Sequence, residues 1–139
     1  MADNSKWLAD AKGKAVKIVA PLLRYLPSDT PYRVILMERD LDEVLASQRK
    51  MLARRGETVD DTPARRARLK EEYSRSMQRA RAQLEQWADT HVLVLRHDDV
   101  LSDPAAAADA LNRFLGGKLS ASAMAAEVRP SLHRQRRAP

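Results

Sequence analysis

The chain has 139 residues, of which 44% are hydrophobic, 32% are charged and 4% are aromatic. This length fits a single domain over residues 1–139, and the composition is that of a globular protein with an aliphatic core. The absence of cysteine excludes a disulfide framework and a cysteine-ligated zinc site. There is no secretory signal and no run of about 20 apolar residues, so we predict a soluble cytoplasmic protein without a membrane segment.

The net charge of +6 is concentrated in two stretches of the sequence. Residues 48–82 hold eleven Lys or Arg against five Asp or Glu, and residues 129–139 hold four Arg and no acid. This charge favours an anionic partner such as a phosphate, a nucleotide or a nucleic acid. A solvated helix face and a flexible basic tail over residues 129–139 are the more usual explanation of such charge, so charge alone does not choose a function.

The first part of the chain predicts two strands with a short helical segment between them. Lys14–Val19 is β-branched and is followed by Pro21, which predicts a strand, and residues 21–27 predict one or two helical turns. Arg33–Met37 is apolar at consecutive positions, which is typical of a strand covered on both faces of a parallel sheet.

Helical periodicity begins directly after the second strand. Asp40 and Glu43 have the spacing of a capping box, and the helix they start should end near Gly56. A second helix, with Pro63 in its first turn, should run to about Asp89. Its apolar stripe consists of Leu69, Tyr73, Met77, Ala80, Leu84 and Trp87.

The last part of the chain predicts one more strand and one more helix. His91–Leu95 is a buried-type strand, and the following helix is capped by Asp103, has Pro104 at its first position and ends at Gly116-Gly117. Short strands that alternate with helices predict an α/β fold with a parallel sheet of about three strands.

Arg39 and Ser47 are the candidate binding residues. In open α/β sheets ligands bind beyond the carboxyl ends of the strands, where the free N–H groups of the next helix also point. Arg39 stands at such a strand end, and Ser47 lies two helical turns later, so both could contact one phosphate monoester. The alternative is that Arg39 pairs with Asp40 or Asp42 and that Ser47 has no role.

The order of the segments resembles the later part of the PAPS-dependent sulfotransferases, with the bacterial branch closest. The resemblance covers roughly residues 14–117 and is carried by "KIVAPLLRYLP", "YRVILMERDLDEVLAS" and "VLVLRHDDVLSDPAAAADALNRFLG", with "PSLHRQR" near the end. It implies an incomplete P-loop-type three-layer domain. It also implies that Arg39 and Ser47 bind the 3′-phosphate of 3′-phosphoadenosine 5′-phosphosulfate (PAPS) or of the product bisphosphate (PAP).

The reaction implied by the resemblance is transfer of a sulfuryl group to a hydroxyl or amine acceptor, in which positioning and charge stabilisation dominate catalysis. The resemblance also implies structural roles for Asp98, Asp99, Asp103 and Pro104. The acceptor is not identified by the sequence.

The chain departs from the family pattern in two places. The loop P-[KR]-[ST]-G-[ST]-[ST], which cradles the 5′-phosphosulfate, is absent, so the family pattern begins here partway through and the chain as given is expected to be truncated and to have little activity. Val19 occupies the position that aligns with the histidine base of the animal branch, so we assign no catalytic residue. His97 beside Asp98 and Asp99 is either a base, a metal ligand or a turn residue, but the run lacks zinc spacing and we predict no metal site.

Further anion contacts and two other functions stay open. Lys17, Arg134 and Arg136 are additional candidate anion contacts, as are Arg24 and Arg137, with solvent exposure as the alternative. A small basic nucleic-acid-binding module would use the arginines of residues 49–81 and would show a strong salt dependence. The strand missing from the family pattern leaves the edges of its neighbouring strands exposed. Three outcomes are open: the remaining strands pair directly with each other, a homodimer forms through the exposed edge, or the domain is only marginally stable.

Overall fold

The computed structural model describes residues 6–129 and has an α/β fold, which confirms the predicted class. In chain order the elements are α1 (Lys6–Asp10), a 3₁₀ helix (Ala20–Tyr25), β1 (Arg33–Glu38), α2 (Leu41–Arg54), α3 (Pro63–Glu85), β2 (His91–Arg96), α4 (His97–Ser102), α5 (Pro104–Phe114) and α6 (Ala121–Ala126). Most of the predicted basic tail, from residue 130 onward, lies outside the described residues. Within residues 6–129 no helix is both long and apolar enough to cross a membrane.

The sheet consists of β1 and β2, which pair in parallel with Arg33 opposite His91 and Glu38 opposite Arg96. The connection between the two strands contains α2 and α3, as a parallel crossover requires. The parallel pairing was predicted, and the two strands have closed directly on each other. Across residues 6–129 the sheet has two strands rather than about three.

The strand predicted at Lys14–Val19 is wrong, because residues 14–19 have no regular secondary structure. Val16 and Val19 are exposed, with Val19 at 58%. β-branched residues favour a strand mainly when they pack against neighbouring strands and a buried face. This segment has neither kind of neighbour, so its local preference is not realised.

The prediction that the strands are covered on both faces is also wrong. Side chains opposite each other in a parallel pair share a face, so Leu36 lies beside Val94 and Ile35 lies beside Leu93. Leu36 is buried while Val94 is exposed, and on the other face Leu93 is half-buried while Ile35 is exposed. On one face of the sheet β1 is covered and β2 is exposed, and on the other face β2 is the better covered strand.

The hydrophobic core lies between the 3₁₀ helix, α3 and the start of β1. Its buried members are Leu23, Ala80, Leu84 and Trp87, and Leu84 is 1% exposed. Tyr32 packs against this cluster, with its ring centroid 5.6 Å from that of Trp87. The apolar stripe predicted on the second helix is confirmed, since each of its residues is buried or half-buried.

Local sequence signals set the ends of the helices. Thr62 caps α3 by accepting a hydrogen bond from the backbone N–H of Arg65 at 3.3 Å, directly before Pro63. Asp103 caps α5 in the same way, with 3.0 Å to the N–H of Ala106. The short helix α4 fills the interval between β2 and Asp103 and was not predicted from the sequence.

Candidate functional site

Arg39 lies in the two-residue connection between β1 and α2, immediately beyond the carboxyl end of β1. The carboxyl end of β2 lies beside it, because Glu38 and Arg96 are opposite each other in the register. The predicted location of Arg39 at a strand end is therefore what the structure shows. This is the edge of an α/β sheet at which ligands bind.

The guanidinium of Arg39 forms an ion pair with Glu43, one helical turn further on. Nε of Arg39 lies 3.2 Å from Oε2 of Glu43, and the side chains are 31% and 6% exposed respectively. The sequence left open that Arg39 pairs with a nearby acid, Asp40 or Asp42. The structure shows such a pair, and the acid in it is Glu43. Asp42 instead forms an ion pair of 2.6 Å with Lys70 on α3.

The N-terminus of α2 is capped by its own sequence. A carboxylate oxygen of Asp40 accepts hydrogen bonds from the backbone N–H groups of Asp42 at 2.9 Å and Glu43 at 3.2 Å. The predicted cap is confirmed, but the expectation that free N–H groups of this helix face a ligand is wrong. Asp40, Asp42 and Glu43 also place negative charge at the positive end of the helix dipole, so an anion here depends on Arg39.

Ser47 is exposed in the middle of α2. It follows Glu43 by four residues, and residues at this spacing are neighbours along one side of a helix. Arg39, Glu43 and Ser47 therefore follow one another at four-residue intervals, with Glu43 in the middle. Ser47 does not contact the core, which leaves its hydroxyl accessible to a ligand.

A second group of polar side chains adjoins Glu43 at the start of α4. Ligand atoms of Glu43, His97 and Asp98 all lie within 4.8 Å of one another, and Nδ1 of His97 is 3.9 Å from Oδ1 of Asp98. Such a cluster has the donor types that divalent metals accept. Arg39 already balances the charge of Glu43, so we interpret the cluster as a polar contact between the start of α2 and the start of α4.

A separate open cavity of about 520 Å³ lies at the same edge of the sheet. Its polar lining includes Glu38, Arg96, Asp99 and Asp103, and α5 contributes small apolar residues. Carboxylates outnumber the single arginine there, which disfavours a phosphate. Neither Arg39 nor Ser47 lines this cavity.

Of the additional candidate anion contacts, the structure describes Lys17 and Arg24. Lys17 is exposed in the irregular segment, and Arg24 donates a hydrogen bond of 2.8 Å to the hydroxyl of Tyr25. Arg134 and Arg136 lie outside the described residues.

The basic stretch of α2 and α3 is partly neutralised within the protein. Its cations in ion pairs are Arg49, Arg66, Arg68, Lys70, Arg75 and Arg81. This pairing weakens the field that a nucleic-acid-binding module would use.

Sequence reasoning missed two residues of this site as partners. Glu43 was recognised only as part of a capping box, although its four-residue spacing from Arg39 is also that of a helical ion pair. His97 was considered only with its chain neighbours. Its proximity to Glu43 depends on the pairing of β1 with β2, which no local pattern reveals.

The site therefore defines an α/β protein with an arginine at a strand end and an exposed serine on the following helix. A family model described as "Sulfotransferase family" matches residues 1–120, and the chain belongs to that family. Neither the curated proteins nor the solved structures contain a significant match to the chain.

Proposed function

We propose that the chain binds the nucleotide sulfuryl donor of its family, PAPS, or the product PAP, through the 3′-phosphate, and that Arg39 and Ser47 are the contacts. The acceptor is a hydroxyl or amine whose identity stays open. The observation that carries the proposal is the position of Arg39, half-buried at the carboxyl end of β1 in a sulfotransferase-family chain.

The chemistry of the arginine supports this assignment. A guanidinium has five N–H donors in a planar fork, and its terminal nitrogens match two oxygens of a phosphate. Within residues 6–129 the contact of Arg39 with a side-chain acceptor uses Nε alone. In the proposed complex Nη1 and Nη2 donate to two oxygens of the phosphate, and the hydroxyl of Ser47 supplies one further hydrogen bond.

Binding by this half of the site should be weak. Four carboxylates lie within four residues of Arg39 along the chain, and they lower the positive potential that a phosphate meets. Transfer further requires a cradle for the 5′-phosphosulfate. Each of the four glycines follows a helix, at residues 13, 56, 116 and 117, so none forms a strand-to-helix phosphate loop. We therefore propose weak nucleotide binding and little transfer activity by this chain alone.

Isothermal titration with two nucleotides tests the proposal. Adenosine 3′,5′-bisphosphate should bind at least about tenfold more tightly than adenosine 5′-monophosphate, since one charge-assisted bidentate contact is worth about 1.5–3 kcal/mol. Arg39→Lys keeps the charge but removes the planar fork, and Ser47→Ala removes the hydroxyl. Both variants should reduce this preference for the 3′-phosphate.

Arg79→Lys and Ser74→Ala are matched controls, because both side chains are exposed on α3. The controls should leave the preference unchanged. No binding of the bisphosphate at millimolar concentration, or an unchanged preference in Arg39→Lys, contradicts the proposed site.

A further inference from the structure

Glu43 is the one charged residue that is buried among residues 7–129, for which the structure describes burial. A buried carboxylate is costly unless it is paired and hydrogen-bonded. Its carboxylate lies against Nε of Arg39, the predicted ligand contact. The cap of α2 is the carboxylate of Asp40, which accepts hydrogen bonds from the backbone N–H groups of Asp42 and Glu43.

We propose that Glu43 is a positioning residue, which holds Arg39 by Nε so that Nη1 and Nη2 face the 3′-phosphate of the bound nucleotide. This inference rests on the proposed function and adds a residue to it. Because the guanidinium is planar, a contact that fixes Nε also fixes the plane of the two terminal nitrogens. The ligand then meets an arginine that is already oriented.

The geometry of α2 gives Glu43 access to both ligand contacts. It contacts Arg39 directly, and it precedes Ser47 by four residues on the same side of α2. Its carboxylate is also near His97 and Asp98, whose ligand atoms lie within 4.8 Å of its own. The carboxylate of Glu43 is therefore flanked by Arg39 on one side and by the start of α4 on the other.

Two opposite effects are expected when the charge of Glu43 is removed, and their signs separate the possible roles. If Glu43 is only a nearby negative charge, Glu43→Gln should strengthen binding of a phosphate, because repulsion is removed. If Glu43 positions Arg39, the same variant should weaken binding, because the long arginine side chain must then be ordered by the ligand itself.

The experiment measures the affinities of adenosine 3′,5′-bisphosphate and adenosine 5′-monophosphate for the wild type and for Glu43→Gln. The affinity for the bisphosphate divided by that for the monophosphate should fall by about fivefold in Glu43→Gln. The loss comes from the rotamer entropy of an arginine that is no longer held, and the removed repulsion offsets part of it. The affinity for the monophosphate should stay the same. A loss of folding would instead lower both affinities together. An unchanged or larger ratio in Glu43→Gln overturns the inference.

A readout that needs no nucleotide accompanies the titration. In the wild type, the Nε–H signal of Arg39 in a nitrogen-15 NMR spectrum should exchange slowly with water, and in Glu43→Gln it should exchange rapidly. Because the amide oxygen introduced by Glu43→Gln can still accept from this Nε–H, Glu43→Met is measured beside it, and equal exchange in the wild type and Glu43→Met overturns the inference. If Glu43→Gln does not fold, Glu43→Asp keeps the charge but withdraws the carboxylate by one methylene, and the same fall in ratio and the same faster exchange are expected.

Failure of the proposed function gives a different result from failure of this inference. If the wild type itself shows no preference for the bisphosphate, the proposed function and the positioning role fall together. If the wild type shows the preference and Glu43→Gln retains it, only the positioning role is overturned. In the Arg39→Lys background, Glu43→Gln should change the ratio by less than it does in the wild type, since the two residues act as a unit.

Discussion

The ion pair of Arg39 and Glu43 predicts that Arg39→Ala alone destabilises the fold more than Arg39→Ala combined with Glu43→Gln. Arg39→Ala removes an ion-pair partner from a carboxylate that is 6% exposed. Breaking a fully buried pair costs about 3–5 kcal/mol, because one charge is left with less compensation. Arg39 is 31% exposed, so water reaches this pair from one side. We therefore expect a cost of about 1–3 kcal/mol, against a total stability of roughly 5–15 kcal/mol for a domain.

Adding Glu43→Gln to Arg39→Ala should recover most of the lost stability, because a buried amide costs less than a buried charge. Urea unfolding followed by the fluorescence of Trp87, which lies in the core, measures both variants. Arg79→Ala, at an exposed position of α3, is the matched control and should change the stability by less than about 0.5 kcal/mol. If Arg39→Ala costs no more than this control, or if the double variant is no more stable than Arg39→Ala, the description of the pair is refuted.

Two further predictions test the fold around the site. Leu84→Ala should cost about 2–5 kcal/mol in the same unfolding assay, whereas Leu119→Ala, at a position that is 51% exposed, should cost much less. Equal losses would show that α3 does not pack on the 3₁₀ helix as described. Asp40→Ala should cost about 1 kcal/mol, because the cap of α2 is lost, and Asp40→Asn should recover most of that amount. A full loss in Asp40→Asn would mean that the residue acts through its charge and not as a cap.

Local patterns in the sequence predicted the parts of the fold that local chemistry decides. The cap at Asp40, the helix end at Gly56 and the cap at Asp103 each depend on residues a few positions apart, and the structure contains all three. The stripe of α3 was predictable because one face of a long helix must be buried. The position of Arg39 followed from the same reasoning, since a change of period marks the end of a strand.

The errors concern features that distant segments decide. The run Lys14–Val19 has the composition of a strand, but no neighbouring strand accepts it. The exposure of Ile35 and Val94 depends on how many strands assemble, which their own apolar character does not reveal. The contact between Glu43 and His97 likewise requires the register of β1 with β2.

The parallel pairing of β1 with β2 has a consequence for the order of folding. The strands are separated in sequence by the whole of α2 and α3, so the chain must close a long loop before the first hydrogen bond of the ladder forms. The two helices can form by local contacts. The packing of Leu23 against Leu84 can then bring the segments that precede β1 and β2 near each other. We expect the slow step of folding to be the meeting of the strands, and with it the moment at which Glu43 and His97 first become neighbours.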